Sequence, residues 1–180
     1  MKNKLISIIF LSLLILLIAC DQIRDNYYNC SSEDLKYETT NITLSNNSSS
    51  VNINVYHGKS NIEHQRGLMC IRDSEVIDGM LFSYKNEQKS SFWMLKTFIP
   101  ITIIYFDTNN LSVDFFEMKP CKRALFQKMT AYEQKCYEES KDYIPKTNYI
   151  NSLELFESFE KLEEIKTILA DDKLKLMINN

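Results

Sequence analysis

From Ser90 to Asp107 the chain reads Ser-Ser-Phe-Trp-Met-Leu-Lys-Thr-Phe-Ile-Pro-Ile-Thr-Ile-Ile-Tyr-Phe-Asp, its densest apolar and β-branched run and the place of its only tryptophan. Such a run has to be buried, and its proline limits how. Pro100 has no N–H and biases the residue before it toward extended backbone, so the spacing predicts a strand, a corner and a second strand. In the first half Phe92, Met94 and Lys96 share one face, and Trp93, Leu95 and Thr97 the other. Both faces are largely apolar, which predicts an interior strand covered on two sides. After Pro100, Ile101, Ile103 and Tyr105 alternate with Thr102, Ile104 and Phe106; Asp107 to Asn110 suit a hairpin turn, and Leu111 to Phe115 return as its partner.

The rest of the chain supplies elements to surround that run. Val51, Ile53 and Val55 alternate with polar residues as a half-buried strand requires, and Gly79 to Tyr84 form another strand, followed by a turn from Lys85 to Lys89. Ile62 to Met69 read as a short helix. Leu125, Met129 and Tyr132 recur at helical spacing between Cys121 and Cys136. From Ser152 to Leu169 an apolar stripe opposite Glu and Lys predicts an amphipathic helix, although Tyr149 to Leu155 also alternates as a strand. Leu174 to Ile178 close the chain as a strand. The sum is a mainly β domain with short helices, of the α+β class, carrying a C-terminal amphipathic helix.

The N-terminus points to export. Lys2 and Lys4 precede an apolar run from Leu5 to Ala19 that falls short of the roughly 20 residues a membrane span needs, the layout of a secretory signal. Leu17-Ile18-Ala19-Cys20 resembles the cleavage motif of bacterial lipoproteins, which are cut before a cysteine that is then acylated. Residues 1–19 are therefore expected to be a lipoprotein signal, and Cys20 to anchor the chain to a membrane of the cell envelope. Residues 20–50, rich in Asn and Ser, read as a lipidated polar tether, and 51–180 as the globular domain.

Charge and cysteine use narrow the function. Loss of Lys2 and Lys4 from 21 basic groups, against 24 acidic ones, leaves an acidic mature chain with both signs interspersed, unlike a nucleic-acid-binding surface. Without Cys20, four cysteines remain (Cys30, Cys70, Cys121 and Cys136) in a compartment where disulfides persist, with three pairings possible. No Cys-x-x-Cys occurs, and His57 and His64 are not at ligand spacing with any cysteine, so neither a metal nor another cofactor is expected. The chain also lacks a Gly-rich phosphate loop, a Gly-x-Ser-x-Gly elbow and a His-Glu-x-x-His.

The order of blocks Arg66-Gly67-Leu68-Met69, Gly79-Met80-Leu81-Phe82, Ser91-Phe92-Trp93-Met94, Ile99-Pro100, Ile104 to Asp107 and Pro120-Cys121 resembles the prokaryotic domain of unknown function 192 family, from about Val51 to Ile178. The resemblance implies a compact β-sandwich or barrel-like domain, often exported, with no established activity. It also implies a disulfide between Cys121 and Cys136. The chain departs from the family pattern at Leu95 and Lys96, where Lys-Asn is usual, at Ile71, where an arginine is usual, and at Thr102, where an acid is common.

The family residues that survive these departures, Arg66, Met69, Met80, Trp93, Met94 and Thr97, are the candidate ligand-binding set, with Arg66 and Trp93 expected to border one pocket. The function these observations suggest is non-enzymatic: a membrane-anchored extracytoplasmic domain binding a small ligand or an envelope protein. The alternative is an enzyme or auxiliary acting on an envelope sugar through Arg66 and carboxylates such as Asp78 and Asp107.

Overall fold

The computed structural model describes residues 27, 28, 30, 36–71 and 77–179. The chain divides into two compact units, Met1–Asp34 and Leu35–Asn180. Within the first, the rings of Tyr27 and Tyr28 meet edge to face with centroids 5.2 Å apart, and Cys30 is disulfide-bonded. The signal segment and Cys20 lie outside the described residues.

The second unit is built on seven strands: β1 (Glu38–Ser45), β2 (Ser50–Gly58), β3 (Gly79–Gln88), β4 (Ile101–Phe106), β5 (Ser112–Met118), β6 (Tyr149–Phe156) and β7 (Lys175–Asn179). Among the described residues, α-helices α1 (Asn61–Arg66), α2 (Met129–Ser140) and α3 (Leu162–Asp171) accompany them. The sheet order is β5-β4-β6-β3-β2-β1-β7. Every pair is antiparallel except β2 with β3, which run parallel and are joined through α1. The two outermost strands also meet. Leu111, just before β5, bridges Lys175, while the Ser112 N–H donates to the Leu174 carbonyl (2.8 Å) and the Leu176 N–H to that of Asn110 (2.9 Å). The sheet thus curls until its edges touch at one end, which makes the domain barrel-like, as the resemblance implies.

Strand alternation sorts the side chains onto the two faces. Ile42, Leu44, Val51, Ile53, Val55, Leu81, Ile104, Phe106, Leu153 and Leu155 fill the inner face, closed by Leu162 and Ile165 of α3 together with Leu174 and Leu176. All six residues of β4 are buried, the mark of a strand covered on both sides. Gly79 is needed where β3 meets β6, because a Cβ there would fall 1.9 Å from the Glu154 carbonyl oxygen. α1 begins with a capping box: the Glu63 N–H donates to Ser60 Oγ, and the Glu63 carboxylate accepts from the Ser60 and Lys59 N–H groups. Those bonds hold the Glu63 carboxyl below its usual range.

Four expectations are corrected. The stretch from Ser90 to Pro100 is not a strand but an irregular segment, with a turn in which Lys96 adopts φ 54°. Its apolar residues on both sides arise because it crosses a covered face, not because it lies within the sheet. Part of the supposed tether is β1, which pairs with both β2 and β7, so the domain takes in residues from Glu38 onward. The amphipathic helix is confined to Leu162–Asp171, since Tyr149–Phe156 pair with β3 and β4 as a strand. Leu125 does not belong to a helix: α2 starts at Met129 and contains Cys136, and Leu125 stands exposed before it.

Candidate functional site

The outer face of the sheet carries a buried aromatic and polar cluster. On β6, Ser152, Glu154 and Phe156 point away from the inner core, with Glu154 registered between Met80 of β3 and Ile103 of β4, and Ser152 between Phe82 and Tyr105. The rings of Tyr105 and Tyr149 meet at a tilt with centroids 4.7 Å apart, Tyr84 meets Tyr149 edge to face at 5.7 Å, and the His64 ring lies 4.3 Å from that of Tyr84. Burial raises the phenol pKa values of Tyr84, Tyr105 and Tyr149.

Glu154 is the unexpected member of this cluster. Its side chain is buried among these groups, and desolvation by burial pushes its pKa up to about 8. Its carboxyl is therefore mostly protonated at neutral pH. Tyr37 senses it from one side: the phenol, raised to about 12 chiefly by burial, is pulled down by Arg66 and pushed up by Glu63 and Glu154. The Tyr37 hydroxyl donates to the Gly67 carbonyl at 2.7 Å, which ties the residue before β1 to the end of α1.

The segment from Lys89 to Pro100 covers part of this face. Phe92 packs on Phe82 at 5.0 Å and faces Tyr105 at 6.0 Å and Tyr149 at 6.4 Å. The segment's turn is pinned from both sides. The Cys70 N–H donates to the Lys96 carbonyl (2.8 Å), and the Lys96 N–H donates to the hydroxyl of fully buried Tyr132 (2.9 Å), which itself donates to the Cys121 carbonyl (2.9 Å). Cys121 and Cys136 form a disulfide with their Cα atoms 5.6 Å apart, and Cys70 is disulfide-bonded as well.

The sequence-predicted site residues separate on this scaffold. Met80, Met94 and Thr97 are buried. Arg66 and Met69 are half-buried at and just beyond the last turn of α1. Trp93 is 38% exposed and lines a groove of about 580 Å³ with Lys89, Ser90, Ser91, Tyr137, Ser140, Lys141 and Ile144. Arg66 is not among the residues that line that groove. Lys89 and Lys141 stand in it with Tyr137 (54% exposed) and Ile144 (44% exposed). Lys141 lies over the Tyr137 ring, 5.4 Å from its centroid, and pairs with Glu138. The serines fix the walls: Ser91 Oγ and Ser140 Oγ are 3.1 Å apart, and Ser90 Oγ and Tyr149 Oη 3.0 Å. A second groove of about 720 Å³, among Lys59, His64, Tyr84, Lys85 and Gln88, is lined mainly by polar side chains.

The carboxylates considered for catalysis hold backbone instead. Asp78 accepts from the Asn54 N–H at 2.9 Å, and Asp107 from the N–H groups of Asn109 (2.8 Å) and Leu111 (3.0 Å) in the β4–β5 hairpin. Thr102 is fully buried, and among the described residues its Oγ1 finds no hydrogen-bond partner. Among the described residues, no group of three or more His, Cys, Asp or Glu side chains is placed to hold a metal ion. Nor is any helix among them long and apolar enough to cross a membrane.

Comparison with known proteins bears on the fold. The family model DUF192, described as an uncharacterized ACR, matches residues 42–143. No curated protein matches the chain. Among solved structures, the chain is similar to a candidate transcription regulator from Sinorhizobium meliloti 1021, at 15% identity and TM-score 0.59, over 81% of this chain and 97% of that one. It is also similar to a protein of unknown function from Novosphingobium aromaticivorans DSM 12444, at 17% identity and TM-score 0.57, over 81% of this chain and 89% of that one.

Proposed function

The chain belongs to the DUF192 family, and on that footing we propose that it is a lipid-anchored, extracytoplasmic binding domain that takes a small anionic glycan or peptide fragment of the cell envelope in the Trp93 groove. One observation carries this reading. The sole tryptophan stays part-exposed in a groove that Tyr137, Ile144 and two lysines also line, while Met94 and Leu95, its neighbours in the chain, are buried. An exposed indole next to an exposed phenol offers flat apolar faces for a sugar ring or apolar side chain, and the ammonium groups of Lys89 and Lys141 suit a carboxylate. The hydroxyl pairs and the pinned turn at Lys96 hold the groove in shape, so little ordering is left for a ligand to impose. Anchoring through acylated Cys20 would keep the groove at the membrane surface; one acyl chain binds a bilayer marginally and two or more bind it stably.

The test is a titration of the full chain with soluble anionic cell-wall fragments, followed by Trp93 fluorescence. Saturable change is expected, lost in Tyr137→Ala and Lys141→Gln and retained in Arg66→Ala. A response that disappears in Arg66→Ala and survives the groove variants would move the site to α1.

One observation favours the alternative, an enzyme acting on an envelope sugar. Glu154, protonated near neutral pH by burial, is in the state a general acid needs. It lines neither of the two grooves. Mass analysis of the same fragments after incubation separates the two readings: cleavage lost in Glu154→Gln would favour the enzyme.

A further inference from the structure

The loop before α2 presents two large apolar side chains to solvent. Leu125 is 78% exposed and Phe126 91%, far more than Trp93 or any buried member of the core. Residues this apolar are not usually left adjacent and uncovered at the tip of a well-held turn.

The turn itself is built. The Gln127 N–H donates to the Ala124 carbonyl (3.0 Å), the Ala124 N–H to Gln127 Oε1 (2.9 Å), and the Arg123 guanidinium to the Gln127 carbonyl through Nε (2.9 Å) and Nη2 (2.6 Å). The base is fixed by the Cys121–Cys136 disulfide and by Lys135 Nζ, which donates to the Lys122 carbonyl at 2.9 Å. The N–H and carbonyl groups of Ala124 and Gln127 and the Lys122 carbonyl are thus paired within the loop, which lowers the cost of bringing the turn to a medium poor in hydrogen-bond partners. Leu125 and Phe126 are held outward before anything binds, so insertion requires no reordering of the loop.

Charge identifies the medium. From Lys119 to Lys128 the chain carries Lys119, Lys122, Arg123 and Lys128 and no acidic residue, although the whole chain has a net charge of −3. Lys119, Lys122 and Lys128 are exposed around the tip. An apolar point within a cationic collar matches the interface of an anionic bilayer, where hydrocarbon lies a few Å beneath a layer of negative headgroups.

We propose that the Leu125–Phe126 turn is a membrane-insertion finger that dips into the headgroup region of an anionic lipid bilayer, with Lys119, Lys122 and Lys128 on the headgroups. The inference stands on the loop and does not depend on acylation of Cys20 or on a ligand in the Trp93 groove. Together with an N-terminal anchor, it would give the domain a second point of contact and so a fixed orientation on the membrane.

The test uses the full chain carrying Phe126→Trp and Trp93→Phe, which makes residue 126 the only indole, with circular dichroism to confirm the fold. Protein recovered by flotation with phosphatidylglycerol vesicles containing brominated lipid is expected to show blue-shifted emission and quenching by the bromine. In phosphatidylcholine vesicles both effects should weaken. Changing Lys119, Lys122 and Lys128 to Gln should lower the inserted fraction by about fivefold per lysine, the equivalent of about 1 kcal/mol each. Emission that stays that of a water-exposed indole on phosphatidylglycerol vesicles, open to acrylamide and untouched by bromine, overturns the proposal. A failure to float at all overturns it too. Insertion that is indifferent to lipid charge and to the lysine changes overturns the role given to the collar.

Discussion

Replacing Glu154 by Gln should stabilise the protein, and by an amount that grows with pH. The unfolded carboxyl titrates near 4.5 and the folded one near 8. Between those values the folded chain keeps a proton that the unfolded chain has released, so raising the pH through this window favours unfolding. Below about 4.5 both states are protonated and the penalty vanishes; above about 8 both are ionised and it levels off. At about 1.4 kcal/mol for each pH unit, the cost at pH 7 is on the order of 3 kcal/mol, enough to lower the melting temperature of a domain this size by roughly 6 to 12 °C. Gln has nearly the shape of the protonated acid and no charge to bury. Urea unfolding of the native protein and Glu154→Gln at pH 5, 6, 7 and 8 reads the difference directly. The difference should be below about 1 kcal/mol at pH 5 and widen steadily to pH 8. His57, whose pKa burial lowers, acts in the opposite sense, but it is common to both proteins and cancels from the difference. A constant difference across the series would refute the reasoning, because it would mean that Glu154 is ionised or hydrated in the folded state.

Three further outcomes follow from the same geometry. The Cys121–Cys136 bridge, at a sequence separation of 15, should contribute about 3 kcal/mol, so Cys121→Ser with Cys136→Ser is expected to lower the urea midpoint; an unchanged midpoint would contradict it. Tyr132→Phe removes the hydroxyl between Lys96 and Cys121 and should cost about 1 to 3 kcal/mol, with faster amide exchange at Lys96 than elsewhere; uniform exchange would count against the pinned turn. Cells fed a labelled fatty acid should transfer it to the native chain and not to Cys20→Ala, and label retained in the variant would rule out acylation at that cysteine.

How far the sequence is legible depended on whether a pattern had one physical cause or two. Val51, Ile53 and Val55 alternate because one face of β2 is buried, and Asp107 to Asn110 form a turn because Asp107 accepts two backbone N–H groups and Asn110 takes φ 59°. Apolarity on both sides has a second origin, a covering segment laid across a sheet, and Phe92 to Thr97 were that second kind. β1 escaped notice because its outward residues, Thr39, Asn41 and Thr43, are as polar as the stretch after it, leaving Ile42 and Leu44 as a faint signal. Glu154 was hidden for the opposite reason. Between Leu153 and Leu155 it reads as the solvent face of a strand, and only Ser152 and Phe156, also buried on that face, hint that the face is covered. The Cys121–Cys136 pair follows from the family resemblance, whereas spacing alone leaves three pairings open.

The most direct test of the binding claim is an amide chemical-shift map of the full chain in detergent, titrated with an anionic cell-wall fragment. The groove account predicts shifts gathered at Lys89 to Trp93 and at Tyr137 to Ile144, with the same fragment silent in Tyr137→Ala. Shifts gathered instead at Tyr37, Arg66 and the strands around Glu154, with the groove unmoved, would contradict it.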